Sequence, residues 1–351
     1  MDSYQVLRFG VPLAGIQHDV PVPQGSEVLV RVEAAGLCHT DIHIWQGGYD
    51  LGGGARLSMD KRGVVLPLTL GHEIAGEVIA LGPNATGVVP GRRYLVYPWI
   101  GCGDCKVCRR GKEHVCPAPR TLGIFRAGGF SKHVIVPDAR YLVDIGDMPP
   151  QQVAPFACSG LTVYSALRKM DPAVLMEERV VIFGAGGLGL MAISLLVALG
   201  GAGAVVVEPD AARRDAALTM GAIAAIDPGA PDFLDQVRAA VGGGAWAVLD
   251  CVGAAQTMQA ALDLLVKGGQ IIQVGLFGGA ISLPLVTLPL RSIRIEGSFV
   301  GSPAELGELL ALVRDKAPVM IPTVCRPLHE VATAIHDLEQ GRVVGRVILQ
   351  P

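Results

Sequence analysis

A chain of 351 residues divides into about two domains, each large enough to bury its own core. A net charge of -3 and a pI near 6.2 give no basic patch and so no support for nucleic-acid binding. Half of the residues are hydrophobic, 17% are charged and the mean hydropathy is +0.45, so a membrane span is the first alternative to test.

The opening Met1-Asp2-Ser3 has neither a basic nor an apolar run and predicts no secretory signal. Residues 4–37 alternate short β-branched runs with Gly and Pro, and Val28-Leu29-Val30-Arg31-Val32 reads as a strand of a barrel-like start. Cys38-His39-Thr40-Asp41-Ile42-His43 then gathers a soft metal ligand, two imidazoles, a hydroxyl and a carboxylate in six residues. Residues 46–64 form a loop by composition, either a floppy insertion or a cover for a nearby cleft. Gly71-His72-Glu73 leads a strand. Alone, His72 reads as a satisfied core histidine; beside Cys38 it reads as a metal ligand.

Cys102, Cys105, Cys108 and Cys116 follow the spacing C-x2-C-x2-C-x7-C. Four thiolates this close can enclose a structural zinc, with an iron–sulfur cluster as the rival. Their lobe is short and polar, so folding energy from a metal would substitute for burial. After Asp147-Met148-Pro149-Pro150 the character changes. Residues 152–169 read as a helix carrying Cys158, a third soft ligand that would leave a coordination position open for water or substrate. Cys251 and Cys325 are left over and read as inert buried thiols. With six of eight cysteines in metal-like spacings, the chain fits a reducing, cytoplasmic setting.

The longest uncharged run, 180–207, is long enough to span a bilayer but is broken by Gly184, Gly186, Gly187, Gly189, Gly200, Gly201 and Gly203. It divides into a β-branched run, a glycine turn, an apolar helix and a second β-run. A buried β-α-β unit explains its hydrophobicity without lipid. Val180-Val181-Ile182-Phe183 runs into Gly184-x-Gly186-x-x-Gly189, and a second strand ends in Glu208. The glycines permit a tight turn and let a pyrophosphate approach the backbone, with the helix N-terminus supplying free N–H groups. Glu208 can accept from both ribose hydroxyls and favours NAD, although Arg213 and Arg214 could pair with the 2′-phosphate of NADP. Helices over 210–220, 231–241 and 255–266 alternate with strands at 224–226, 247–250 and 270–274. A strand at 291–301, helices near 303–315 and 329–340 and a strand at 345–349 finish the chain.

With these motifs in order, the chain resembles the zinc-dependent medium-chain alcohol dehydrogenases over essentially its whole length. The resemblance implies an α/β fold: a GroES-like β-rich catalytic domain plus a Rossmann-type doubly wound parallel-sheet cofactor domain. It divides the chain into a catalytic domain at 1–150 with a zinc lobe at 101–117, an NAD-binding domain at 151–290, and a segment at 291–351 that completes the Rossmann sheet and returns. It also implies two zinc ions per subunit, one held by Cys38, His72 and Cys158 and one by the four clustered cysteines. Thr40 and His43 fall where the family keeps a proton relay, and Asp41 and Glu73 where it orients ligands. His39, Thr162, Gly184, Gly186, Gly187, Leu188, Gly189, Glu208, Arg213, Val274 and Arg346 would hold NAD, and Trp45, Trp99 and Phe125 would line the substrate. Partners would be a small alcohol or aldehyde and further copies of the chain, as a dimer or tetramer through the cofactor domain. Cys158 stands where many polyol dehydrogenases have an acidic residue, which tilts the reading towards simple alcohols. Polyol oxidation and a non-enzymatic redox sensor are the alternatives.

Overall fold

The computed structural model describes residues 2–351, and its two main sheets follow from two hydrophobic patterns. Val180–Phe183 and Ala204–Val207 are apolar and buried at every position. Strands without a polar face need cover on both sides, which a parallel sheet flanked by helices provides. They form the middle of a six-stranded parallel sheet, in the order Ala224–Ile226, Ala204–Val207, Val180–Phe183, Ala245–Asp250, Leu265–Gln273, Arg294–Gly297. The chain moves outward to one side of Val180–Phe183 and then returns to the other. A crevice opens at the carboxyl end of that strand, where the order reverses.

The helix Gly187–Ala198 joins the two central strands and buries every residue from Gly189 to Leu196. The apolar run 180–207 is therefore strand, helix and strand. Among the described residues no helix is long and apolar enough to cross a membrane.

The second sheet is built on Val28–Leu37, which turns Arg31 outward and buries its apolar residues. Its order is Leu142–Asp144, Arg93–Val96, Glu73–Leu81, Val28–Leu37, Arg346–Gln350, Thr323–Pro327, with His133–Val136 also paired to Val28–Leu37. The end of the chain thus crosses back: Val347, Ile348 and Leu349 pair antiparallel with Leu37, Gly36 and Ala35. That return places Arg346 Nη1 3.3 Å from the Leu37 carbonyl, at the seam between the two sheets.

Several elements differ from the sequence reading. Residues 46–64 are not a structureless loop: Gly48–Gly52 and Ala55–Ser58 form an antiparallel hairpin whose glycines occupy the turn. Residues 152–169 are not one helix. Pro150–Val153 and the 3-10 turn Ala154–Ala157 stop at Cys158, whose φ of -128° and ψ of -76° break the chain before Ser159–Leu167. Pro155 explains part of this, because it has no N–H to donate to a continuous helix. The strand expected at 291–301 is confined to Arg294–Gly297, after a short helix, Thr287–Arg291. Asp2–Val6, Ala14–Gln17 and Thr323–Pro327 are additional strands. Cys325 is exposed rather than buried, because it lies on Thr323–Pro327 at the edge of its sheet.

Candidate active site and metal centres

Cys38 caps the helix His39–Trp45, and its backbone N–H donates to Asp41 Oδ2 at 2.9 Å. The other oxygen of the same carboxylate accepts from Gly71 N–H at 3.1 Å and from His72 Nδ1–H at 3.2 Å. A single fully buried acid therefore ties the first helix to the segment carrying His72. With its hydrogen on Nδ1, His72 presents Nε2 as a lone pair. That atom is buried and has no hydrogen-bond partner among the described residues. The backbone break at Cys158 brings in the third group, whose Sγ lies 4.0 Å from that of Cys38. All three ligand atoms lie within 4.8 Å of one another. Two buried sulfurs facing an unspent imidazole nitrogen form a donor set that suits zinc.

The electrostatics point the same way. The hydrogen bond from Cys158 holds the Cys38 thiol well below its ordinary range, and the same contact together with burial pushes Cys158 up. Burial alone would lower the His72 pKa, but the charge and hydrogen bond of Asp41 outweigh it and raise the pKa, giving a more basic donor. Glu73 lies behind the three ligands, raised to about 7 by burial against the opposing pull of Arg346, whose Nη2 is 3.0 Å away. Because Asp41 orients His72 and fixes Cys38 at once, Asp41→Ala is expected to weaken metal binding by about tenfold to a hundredfold. Competition with a zinc chelator would measure this.

Cys38 and Cys158 form part of the wall of a cleft of about 940 Å³ that runs from this cluster to the crevice of the parallel sheet. Thr40 and His43 open into it from one face of the first helix, beside His39. Desolvation lowers the pKa of both histidines, and the His43 ring packs against Tyr49 with centroids 4.7 Å apart. Thr162 and Val274 also line the cleft. At the far end the glycine loop closes tightly: a Cβ on Gly189 would meet the Gly184 carbonyl at 1.9 Å. Leu188 and the four glycines of the loop line the cleft, and Arg346 lies across it, its Cζ 3.0 Å from where a Cβ on Gly187 would be. Arg346 Nε is buried and without a hydrogen-bond partner among the described residues. An unspent guanidinium donor above a helix N-terminus fits a pyrophosphate.

Glu208 accepts from Ala185 N–H at 2.7 Å and from Asp210 N–H at 3.0 Å, which leaves acceptor capacity towards the cleft. Arg213 lines the cleft, with one nitrogen on the Gly341 carbonyl at 2.6 Å. Arg214 instead binds the Glu208 and Pro209 carbonyls and pairs with Asp227.

Of the three expected substrate-lining aromatics, Trp99 and Phe125 line the cleft. Trp99 packs edge-on to His72 at 5.3 Å and donates to the Ala157 carbonyl at 2.9 Å. Trp45 does not line it. It lies on the other side of its helix, donating to the Val11 carbonyl at 2.7 Å. The sequence reading missed Phe299, which packs against Trp99 at 5.7 Å, as well as Tyr49, Arg62 and Leu276. The hairpin register could have signalled Tyr49, but nothing in the local pattern marks Phe299. Cys251 also borders the cleft, with burial pushing its thiol up.

In the second cluster, Cys102, Cys105, Cys108 and Cys116 bring their sulfurs within 4.8 Å of one another. Cys105 and Cys108 are 3.4 Å apart, Cys105 and Cys116 3.8 Å, and Cys102 and Cys108 3.9 Å. A zinc tetrahedron with bonds of about 2.3 Å has edges of about 3.8 Å, so four thiolates fit the ion with no open position. The backbone N–H of Cys108 lowers the Cys105 thiol to about 7, while burial pushes Cys108 up to about 12. Buried Glu113 anchors the lobe, accepting from Gly101 N–H at 3.1 Å and from the Tyr141 hydroxyl at 2.7 Å.

Comparison with known proteins agrees with this arrangement. Residues 24–147 match the family model of the alcohol dehydrogenase GroES-like domain, and residues 187–315 match that of the zinc-binding dehydrogenases. An NAD-dependent alcohol dehydrogenase of Sulfurisphaera tokodaii is 36% identical, with 100% of both chains covered. A D-arabinose 1-dehydrogenase (NADP(+)) of Saccharolobus solfataricus is 32% identical over 98% of this chain and 96% of its own. The crystal structure of an alcohol dehydrogenase from the archaeon Aeropyrum pernix superposes with a TM-score of 0.90 at 28% identity, covering 100% of both chains. On two matched domains, full-length relatives and the convergence of its cysteines and histidine, the chain belongs to the zinc-dependent medium-chain alcohol dehydrogenase family.

Proposed function

We propose that this protein interconverts an alcohol and its aldehyde or ketone by hydride transfer with NAD, at a zinc ion held by Cys38, His72 and Cys158. One observation carries the reading: the three ligand atoms converge beside the same cleft that the glycine loop and Arg346 enter from the other end. When bound, zinc supplies Lewis acidity at the substrate oxygen and NAD accepts the hydride. The chain's own residues do the rest. Asp41 aligns His72, Arg346 and the helix N-terminus hold the cofactor's phosphates, and Trp99 with Phe299 excludes water from the reacting carbon. The Thr40 hydroxyl takes the leaving proton, and His43 hands it to solvent. His43 suits that task because desolvation lowers its pKa and leaves it a neutral base near pH 7.

Within this reading residues 1–150 act as the catalytic domain, 151–290 hold NAD, and 291–351 complete both sheets. The lobe at 101–117 binds a second, structural zinc. A cytoplasmic homo-oligomer is part of the same proposal. Leu285, Val286 and Leu290 lie exposed near the edge strand Arg294–Gly297, a surface that a second copy would cover.

His43→Gln is expected to slow turnover by about a hundredfold and to retain both zinc ions, since glutamine accepts a hydrogen bond but carries no proton. Loss of metal from this variant would contradict the relay role. The reading as a whole is tested with a panel of alcohols and both NAD and NADP, following nicotinamide absorbance with metal analysis in parallel. Reduction of NAD by primary aliphatic or benzylic alcohols is expected. Faster turnover of sorbitol-like substrates would promote the sugar-alcohol reading. Zinc and nucleotide binding without turnover would leave a redox sensor, in which Thr40 and His43 have no task.

A further inference from the structure

A second chamber of about 480 Å³ lies beside the cleft, and no step of the proposed reaction uses it. One wall is the hairpin Gly48–Gly52 and Ala55–Ser58; the other is the segment 275–281 that follows the strand Leu265–Gln273 of the cofactor sheet. The walls meet backbone to backbone. A Cβ on Gly52 would lie 2.7 Å from Ala280 N, and one on Gly278 2.7 Å from the Asp50 carbonyl oxygen. With φ of +79° and +112°, both positions favour glycine on conformation as well as space. Tyr49, Arg62, Leu276 and Phe299 line both cavities, so the chamber directly adjoins the cleft.

Its lining is apolar and exposed at once. Tyr49 and Leu57 are directly opposed across the hairpin and share one face. Leu57 and Ile281 are each 38% exposed, although both lie on a concave surface. Two charged residues line the chamber, and both are engaged. Asp50 accepts from Gly52 N–H at 2.9 Å, and the Arg62 guanidinium lies 5.7 Å from the centre of the Tyr49 ring. Large apolar side chains left in water around a concavity that adjoins a reaction site fit an apolar part of the substrate.

We infer that this chamber holds the hydrocarbon tail of the substrate, so that the protein selects alcohols and aldehydes with a straight apolar tail over short ones. The inference rests on the dehydrogenase reading, but its test separates the two. The kcat/KM is measured from ethanol through hexanol to decanol. The expected rise is up to about fourfold per methylene while the tail is entering the chamber, and about a hundredfold overall. Leu57→Asp and Ile281→Asp, at half-exposed positions where a charge does not disturb the core, are each expected to cut the decanol-to-ethanol ratio by about tenfold or more. Size-exclusion chromatography follows the subunit count of each variant.

A flat profile in the native protein, or an unchanged ratio in both variants, would overturn the inference. An unchanged ratio with an altered subunit count would also overturn it, assigning the patch to contacts between copies. If no alcohol turned over, the dehydrogenase reading would fall and binding would decide the chamber. Decanol displacing the apolar dye ANS from the native protein but not from the variants would support a tail site; equal displacement from all three would refute it.

Discussion

Cys158→Ser is expected to lower kcat/KM for alcohol oxidation by about a thousandfold or more, because the Lewis acidity of a catalytic zinc is worth several kcal/mol. The chain should still fold. Serine is close in size to cysteine, and Cys158 lies at a backbone break rather than inside a helix turn. The specific expectation is a fall from two zinc ions per chain to about one, with far-ultraviolet dichroism unchanged. Cys38→Ser should behave alike, and the double variant should be little worse than either single one, since residues that act as a unit are not additive. Full turnover in either single variant would refute the proposed coordination.

Cys105→Ser is expected to do the reverse, leaving the catalytic ion in place and undermining the fold. Structural zinc sites are worth about 10–16 kcal/mol, comparable with the whole stability of a domain. The lobe has little else to replace that energy: among its described residues Gly101, Cys108, Glu113 and Cys116 are buried, and much of the rest is exposed. Local unfolding of 101–117, rapid proteolysis there and a lower melting midpoint follow. Each kcal/mol lost from the global transition moves the midpoint by about 2–4 °C in domains of this class. Retention of both ions with an unchanged midpoint would remove the lobe from the metal account.

The two metal clusters differ in how far the sequence reveals them. The four cysteines fall within fifteen positions, so their spacing alone brings the sulfurs together. Cys38, His72 and Cys158 become a cluster only through their order alongside the nucleotide motif. The device that seats the third of them, a helix broken at Cys158, has no local signature beyond Pro155. Arg346 depends on the longest-range contact of the site, the return of the chain end to Leu37, which no local pattern encodes. The Trp45 assignment failed on helix phase. Thr40 and His43 are three residues apart and share a face, whereas Trp45 follows His43 by two residues, about 200° around the axis. The hairpin at 48–58 was obscured because the glycines that make its turn also resemble those of a flexible loop.

The cofactor sheet was the most legible part, because strands buried on both faces carry uninterrupted apolar runs. The strands Asp2–Val6 and Ala14–Gln17 were less so. They are short, half-exposed and paired in a small separate sheet, where neither alternation nor an apolar run is strong.

The most direct test of the central claim is X-ray diffraction from zinc-loaded crystals recorded on both sides of the zinc absorption edge. The account expects two anomalous peaks per chain. One lies among the four clustered cysteines. The other lies about 2.3 Å from the sulfurs of Cys38 and Cys158 and about 2.1 Å from His72 Nε2. A single peak, at the cysteine lobe, from crystals of protein that oxidises alcohols would contradict it.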